Sequence, residues 1–164
     1  KDAIKRYEQL SRQVSNNVYV LSNLAVAYVR DGQAKKAEEI LRKVIEIAPD
    51  HAFGYSTLGM VCLQQGRYDE AVKMFTRSLS INPKDPVAHN FLGVAAAQKG
   101  WTDSARKSIE TAVQIDPSYA DAYFNLAVLL ATSNQPDKEK ARTHYKKALS
   151  LGAAKDRDLE ELLK

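Results

Sequence analysis

Three histidines and one cysteine are the side chains of this 164-residue sequence best suited to metal binding or nucleophilic catalysis. His51, His89 and His144 lie far apart in the chain, and none has a second histidine at the i, i+4 spacing that places two ligands on one helix face. Cys62 has no second cysteine with which to form a disulfide or a zinc site. We therefore interpret all four as structural residues, with Cys62 a buried thiol of low reactivity.

Other catalytic signatures are missing from the sequence. It contains no Gly-x-Ser-x-Gly motif, no phosphate-binding P-loop and no Gly-x-Gly-x-x-Gly dinucleotide motif. The acidic residues within 155–161 are typical of a solvated helix face rather than of a catalytic carboxylate pair. We therefore predict no catalytic residue, no metal site and no cofactor, and we do not expect an enzyme.

The composition is that of an ordinary globular chain, with 45% apolar and 27% charged residues. No apolar run approaches the roughly 20 residues that a membrane-spanning helix needs. The net charge of +4 is too small to indicate a nucleic-acid partner by itself. Only seven glycines and five prolines occur, which favours many helices joined by short turns.

These glycines and prolines repeat with a period of 34 residues. The columns that share this spacing are Pro49, Pro83 and Pro117; Gly32, Gly66 and Gly100; Ala37, Ala71 and Ala105; and Leu24, Leu58, Leu92 and Leu126. Independent columns with one period indicate internal repeats. The predicted units are residues 18–51, 52–85, 86–119 and 120–155, and the last unit carries a two-residue insertion.

Each unit has the apolar spacing of two helices. In the second unit, residues three and four positions apart share one face of each helix. Gly66 falls between the helices, where a left-handed residue ends the first one, and Pro83 follows the second. Asp50 and Asp85 precede first helices and are expected to cap them.

Small residues recur where the helices meet, which predicts close packing; they are Ala25, Gly59, Gly93 and Ala127 on first helices and Ala37, Ala71, Ala105 and Ala141 on second helices.

The repeat resembles the tetratricopeptide repeat. The matching residues in the second unit are Tyr55, Leu58, Gly59, Cys62, Ala71, Phe75 and Pro83. No unit has the family's tryptophan at its first column, and the fourth unit has Ala153 in place of the closing proline. The resemblance implies an all-α fold, a right-handed α-solenoid of helix-turn-helix repeats. It also implies that first helices line a concave groove and that second helices form the convex exterior.

The two ends of the chain continue the same pattern. Ala3, Tyr7 and Leu10 fall in second-helix columns, so residues 1–17 are predicted to be the second helix of a truncated repeat. The chain is accordingly expected to begin inside a longer solenoid or to be an excised fragment. Leu159 and Leu162 fall in first-helix columns, which predicts a closing helix over 156–164 with one polar face.

Charge is concentrated on the second helices. Residues 52–65, in contrast, contain no Asp, Glu, Lys or Arg, and the other first helices contain few charged residues. The face opposite the core columns of the first helices is therefore predicted to be a neutral groove with apolar and amide side chains. Its residues are Tyr19, Asn23, Val26, Arg30, Phe53, Thr57, Met60, Gln64, Val87, Asn90, Phe91, Val94, Gln98, Asp121, Asn125 and Val128. Exposed Tyr, Phe and Met side chains are typical anchors for a bound peptide, and the alternative is that these residues only pack neighbouring helices together.

Three functional hypotheses follow. The favoured one is a protein-interaction module that binds an extended or helical, largely apolar peptide segment in the groove. The second is an assembly scaffold that self-associates through its open ends. Such a homo-oligomer would use Ala3, Ile4, Tyr7 and Leu10. The third is nucleic-acid binding by the basic helix 138–147, which is the least favoured because the groove has no ladder of Lys or Arg; no nucleic acid is expected as a partner. The sequence names neither the partner nor the compartment, which is left open between cytoplasm and periplasm.

Overall fold

The computed structural model describes residues 2–164, which form ten α-helices and no strand. Lys1, the first residue of the predicted N-terminal helix, lies outside the described residues. The helices are α1 (Asp2–Gln13), α2 (Val18–Arg30), α3 (Ala34–Ile47), α4 (Ala52–Gln64), α5 (Tyr68–Ile81), α6 (Pro86–Gln98), α7 (Thr102–Ile115), α8 (Ala120–Thr132), α9 (Lys138–Ser150) and α10 (Arg157–Leu162). The all-α prediction is confirmed, and the first helices of successive pairs begin at residues 18, 52, 86 and 120.

The turn between α4 and α5 shows how each pair is closed. Gly66 adopts a left-handed conformation with φ +72°, which residues with a side chain rarely adopt. Its N–H donates to the carbonyl of Leu63, and the N–H of Arg67 donates to the carbonyl of Cys62. This is the Schellman arrangement, which satisfies the last carbonyls of a helix and reverses the chain. Gly32 and Gly100 have the same backbone conformation at the corresponding turns.

Side-chain caps begin some of the helices but not all of them. Asp85 accepts hydrogen bonds from the backbone of Val87 and Ala88 and so caps α6 as predicted. The corresponding prediction for Asp50 is wrong, because His51 occupies the N-cap position of α4 and forms no side-chain cap.

The chain divides into two compact units, one up to Pro83 and the other from Lys84 to Lys164. In the first unit α2 packs on α3 and α4 packs on α5, with α1 against α2 and α3 against α4. Its core includes entirely buried side chains on α3, α4 and α5, which are Leu41, Val44, Leu58, Val61 and Phe75, and further buried side chains on α2.

The second unit repeats this arrangement, with α6 on α7, α8 on α9 and α7 against α8. Ile109 and Leu126 lie in its core, to which Leu159 of α10 and Leu163, the residue directly after that helix, also belong. Leu92 of α6 is only partly buried, although the equivalent Leu126 is buried.

A closed ring of ion pairs joins α3 to α5 in the first unit. Arg67 contacts Glu38 at 2.6 Å and Glu70 at 2.7 Å, while Arg42 contacts the same two carboxylates at 2.7 Å each. Partial burial acts to raise the pKa of Glu38, but hydrogen bonds from Arg42 and Arg67 outweigh it and hold that pKa below its ordinary value. The ring therefore stabilises the contact between two second helices while both carboxylates are charged.

Candidate functional groove

The sixteen predicted groove residues differ widely in exposure. Eight are exposed, namely Tyr19, Asn23, Arg30, Phe53, Gln64, Val87, Gln98 and Asp121. Six are half-buried, namely Val26, Met60, Phe91, Val94, Asn125 and Val128. Most of the predicted face is therefore at least partly exposed.

Thr57 and Asn90 are buried, each 1% exposed, so their predicted exposure is wrong. The Thr57 hydroxyl donates to the carbonyl of Phe53 one turn earlier in α4, at 2.8 Å. Asn90 is satisfied by side chains of its own unit. Both polar groups find partners inside the protein, so burial costs them little.

One concavity of the second unit lies between α6 and α8. It is a cleft of about 410 Å³ whose walls include four predicted groove residues, Val94, Gln98, Asn125 and Val128. Ile109 and Leu129 form apolar parts of its surface, and the segment after α8 contributes Ser133 and Asn134. Sequence reasoning missed this loop, because the two-residue insertion showed only that the repeat was longer.

A buried hydrogen-bond chain holds one wall of this cleft, which we call the α6–α8 cleft. The Asn90 amide donates to the hydroxyl of Tyr119 at 3.3 Å and accepts from the Asn125 amide at 3.0 Å. Burial raises the pKa of Tyr119, which therefore stays neutral near pH 7. Asn125, which lines the cleft, is held in place by this hydrogen bond from its Nδ2 to Asn90.

The first unit presents a row of three rings where α2 and α4 begin. The Tyr19 ring lies 5.9 Å from the His51 ring, which lies 6.2 Å from the Phe53 ring, and both contacts are edge-to-face. His51 is held by Ser22, whose hydroxyl is 3.2 Å from its Nε2. Tyr19 is 74% exposed and Phe53 46%, so the row offers aromatic surface to a ligand.

The first unit has a concavity between α1 and α2. This cleft of about 450 Å³ is lined by the predicted groove residues Asn23, Val26 and Arg30 and, from α1, by Ile4 and Tyr7. The Asn23 amide donates to the carbonyl of Tyr19, which leaves its oxygen as an acceptor. The sequence predicts that α1 is the second helix of a truncated repeat, because its residues fall in second-helix columns.

Burial affects two of the four residues with catalytic potential, Cys62 and His144. Cys62 is buried, and burial followed by the charge of Glu70 raises its pKa to about 11. His144 stacks on Tyr123 at 6.0 Å, and burial lowers its pKa. Within residues 2–164 no cluster of three or more His, Cys, Asp or Glu side chains forms a metal-binding group.

The basic helix α9 uses several of its charges internally. Arg142 donates to the carbonyls of Leu163 and Lys164, and Lys140 pairs with Asp137 at 2.9 Å. The Lys147 ammonium lies 6.0 Å from the centre of the Tyr123 ring. Three of its five cations thus contact the protein itself.

Among the described residues, no helix combines the length and the apolar composition required to cross a membrane.

Solved structures with a similar fold cover nearly the whole chain. TTC0263, a thermophilic TPR protein of Thermus thermophilus, is 21% identical, with 98% of this chain and 86% of that chain covered and a TM-score of 0.80. MamA 41-end from Desulfovibrio magneticus RS-1 is 21% identical over 92% of this chain and 84% of that one, with a TM-score of 0.77. YrrB, described as a TPR protein with an unusual peptide-binding site, is 22% identical over 91% and 76%, with a TM-score of 0.70.

Comparison with curated proteins finds no match. Three family models, each described as tetratricopeptide repeat, match residues 15–84, 57–119 and 109–141, and together they span the chain from residue 15 to residue 141. The matched segments contain the pairs α2–α3, α4–α5 and α6–α7 and the glycine turns described above. The chain therefore belongs to the tetratricopeptide repeat family.

Proposed function

We propose that this protein is an interaction scaffold that binds a largely apolar, extended or helical peptide segment of a partner through the groove side of its first helices. Tetratricopeptide repeat proteins are protein-interaction modules, and YrrB is a member with a peptide-binding site. The observation that carries the proposal is the α6–α8 cleft, where four groove residues identified from the sequence line one concave surface.

The chemistry of the α6–α8 cleft suits a peptide without charge. Val94 and Val128 supply apolar surface, while Asn125 and Gln98 supply amides for a peptide backbone or for polar side chains. No Asp, Glu, Lys or Arg is among the residues that line it. A charged segment would lose hydration there without gaining an ion pair, whereas an apolar one would lose little.

The aromatic row of the first unit supplies a second contact surface of the same character. Tyr19 and Phe53 are large, exposed and held by ring contacts to His51, so little side-chain entropy is lost when they bind. A bound segment with apolar residues could contact this row independently of the cleft.

The test is selection of random displayed peptides on the immobilised chain, followed by calorimetric affinity measurement. We expect apolar sequences to be enriched. The double variant Val94→Lys/Val128→Lys should weaken their binding by at least about tenfold, because it places two cations in a neutral cleft.

The matched control is Ser104→Lys/Thr143→Lys, which adds the same charge at exposed positions of α7 and α9. It should bind the selected peptides as the parent does, and circular dichroism should show that both variants are folded. Equal affinity of the cleft variant and the control would refute a site in the cleft. A failure to enrich any peptide would refute the proposed function.

A further inference from the structure

The turn between α8 and α9 differs from the other turns that join a helix pair. Those turns span residues 31–33, 65–67 and 99–101, each with a glycine at positive φ. The α8–α9 turn spans residues 133–137, which we call the insertion segment, and it contains no glycine. Ser133 ends α8 in an extended conformation with φ −67° and ψ 163°, while Lys99, its equivalent in the preceding repeat, lies at φ −89° and ψ 0°. The chain therefore leaves α8 in a different direction from α6.

The insertion segment is held by hydrogen bonds of its own. The Asp137 N–H donates to the carbonyl of Leu130 at 3.0 Å, and the Ser133 hydroxyl donates to the carbonyl of Gln135 at 3.0 Å. Asn134 and Gln135 are exposed, and within residues 2–164 their side-chain amides form no hydrogen bond. The segment thus presents two amides that are available to a ligand.

The insertion segment lies where two clefts of the second unit meet. One is the α6–α8 cleft, and the other is a cleft of about 460 Å³ lined by the start of α7, the end of α8 and the insertion segment. We call the second one the α7–α8 cleft. Four residues line both clefts, namely Thr102, Leu129, Ser133 and Asn134. A bound peptide that leaves the α6–α8 cleft on this side therefore passes the insertion segment.

The chemistry changes between the two clefts. No charged side chain lines the α6–α8 cleft, whereas Asp103, Arg106 and Asp137 line the α7–α8 cleft. These charges are already paired, because Arg106 contacts Asp103 at 2.9 Å and Lys140 contacts Asp137 at 2.9 Å. A charged peptide side chain would compete with existing ion pairs. A neutral polar side chain can instead use the free amides of the insertion segment without breaking any pair.

We propose that the insertion segment determines which peptides the α6–α8 cleft accepts, by selecting an uncharged hydrogen-bonding residue (Asn, Gln, Ser or Thr) next to the apolar residues in the cleft. This inference rests on the proposed function. The amides of Asn134 and Gln135 each offer donors and an acceptor, so they can pair with an amide or a hydroxyl of the peptide. An apolar residue at the same peptide position would desolvate these amides without a replacement hydrogen bond.

Calorimetry with peptides selected on the parent chain tests the proposal. We expect these peptides to carry Asn, Gln, Ser or Thr beside their apolar residues, and alanine at that position should weaken binding by about tenfold. Asn134→Ala/Gln135→Ala should weaken binding of the unaltered peptide by a similar factor. The two losses should not add, because each change removes the same hydrogen bonds. The alanine peptide should therefore bind this variant and the parent with nearly equal affinity.

The matched control is Asn82→Ala/Gln114→Ala, which removes the same two amides at exposed positions that line neither cleft. It should bind the peptide as the parent does, and circular dichroism should show that both variants are folded. Selected peptides without a neutral polar residue beside the apolar ones overturn the inference. So does an insertion-segment variant that binds the unaltered peptide as tightly as the parent.

The cleft variant separates this inference from the proposed function. If Val94→Lys/Val128→Lys weakens binding while Asn134→Ala/Gln135→Ala does not, the proposed function stands and the role of the insertion segment is refuted. A failure to enrich any peptide refutes the proposed function and this inference with it.

Discussion

Gly93 provides a direct test of the predicted close packing between first and second helices. A Cβ atom added at this position of α6 would lie 2.4 Å from Ile109 Cγ1 and 2.8 Å from the carbonyl oxygen of Ala105, both on α7. Favourable contacts between carbon atoms lie at about 3.5–4.0 Å. Since the Ala105 oxygen belongs to the backbone, a side-chain rotation cannot relieve the contact, and α7 itself must shift.

The expected effect of Gly93→Ala is the difference between two opposing terms. Alanine gains about 1 kcal/mol of helix propensity over glycine. Overpacking of a dense core costs about 1–3 kcal/mol. We expect a cost near the upper end of this range, because the added Cβ would lie more than 1 Å too close to the buried Ile109 side chain. The net loss is therefore about 2 kcal/mol. For a chain of this length that corresponds to a melting temperature lowered by about 4–8 °C.

The assay is thermal and urea unfolding followed by far-ultraviolet circular dichroism, with two further variants. Gly59→Ala brings its Cβ to 2.9 Å from the ring of Phe75, a side chain rather than backbone, and its loss should be smaller. Ile109→Ala should reduce the cost of Gly93→Ala without removing it, because the Ala105 oxygen remains. A Gly93→Ala chain as stable as its parent would refute the assignment of this glycine to packing.

Three further predictions concern polar and reactive groups in the first unit. Glu38→Gln should lower the free energy of unfolding in urea by about 1 kcal/mol at low salt and by less at high salt. Because the pKa of Glu38 is lowered, the greater stability of the parent should be present above pH 4.5, the ordinary pKa, and should vanish as the pH falls through the lowered pKa. The same pH dependence of stability in parent and variant would contradict this. The Tyr28 hydroxyl donates to Glu8 of α1 at 2.5 Å, and this hydrogen bond, together with burial, raises the pKa of Tyr28 to about 12. Tyr28→Phe should therefore speed the hydrogen exchange of the α1 backbone amides. Equal exchange rates in parent and variant would show that this hydrogen bond does not stabilise α1. Cys62, with a pKa raised to about 11, should resist iodoacetamide at pH 8 in the folded chain and react in urea, and stoichiometric labelling without denaturant would contradict its burial.

Local signals predicted the helices well. Gly66 could be placed in a turn because only a residue without a side chain takes a positive φ readily, and it does so at +72°. Asp85 could be placed at a cap because a carboxylate satisfies free backbone amides at the start of a helix. The same reasoning fails at Asp50, because this residue lies one position before His51, the N-cap of α4, whereas Asp85 is itself the N-cap of α6.

The groove was predicted less completely, because its exposure depends on neighbouring helices. Thr57 and Asn125 lie in the same repeat column as Asn23, yet Thr57 is buried, Asn125 is half-buried and Asn23 is exposed. The spacing of a single helix indicates which side a residue faces but not how near the next helix lies. Asn90 shows the consequence, since Tyr119 and Asn125 enclose an amide that the helix pattern had assigned to the surface.

By itself the sequence determined the repeat, the helix pairs and the absence of the common catalytic motifs, because these depend on residue types at short spacing along the chain. The tertiary structure decided which first-helix residues line the α6–α8 cleft and that Asn125 donates a hydrogen bond to Asn90. Those properties arise from contacts between residues about thirty or more positions apart, and no local pattern specifies the distance between two helices that pack.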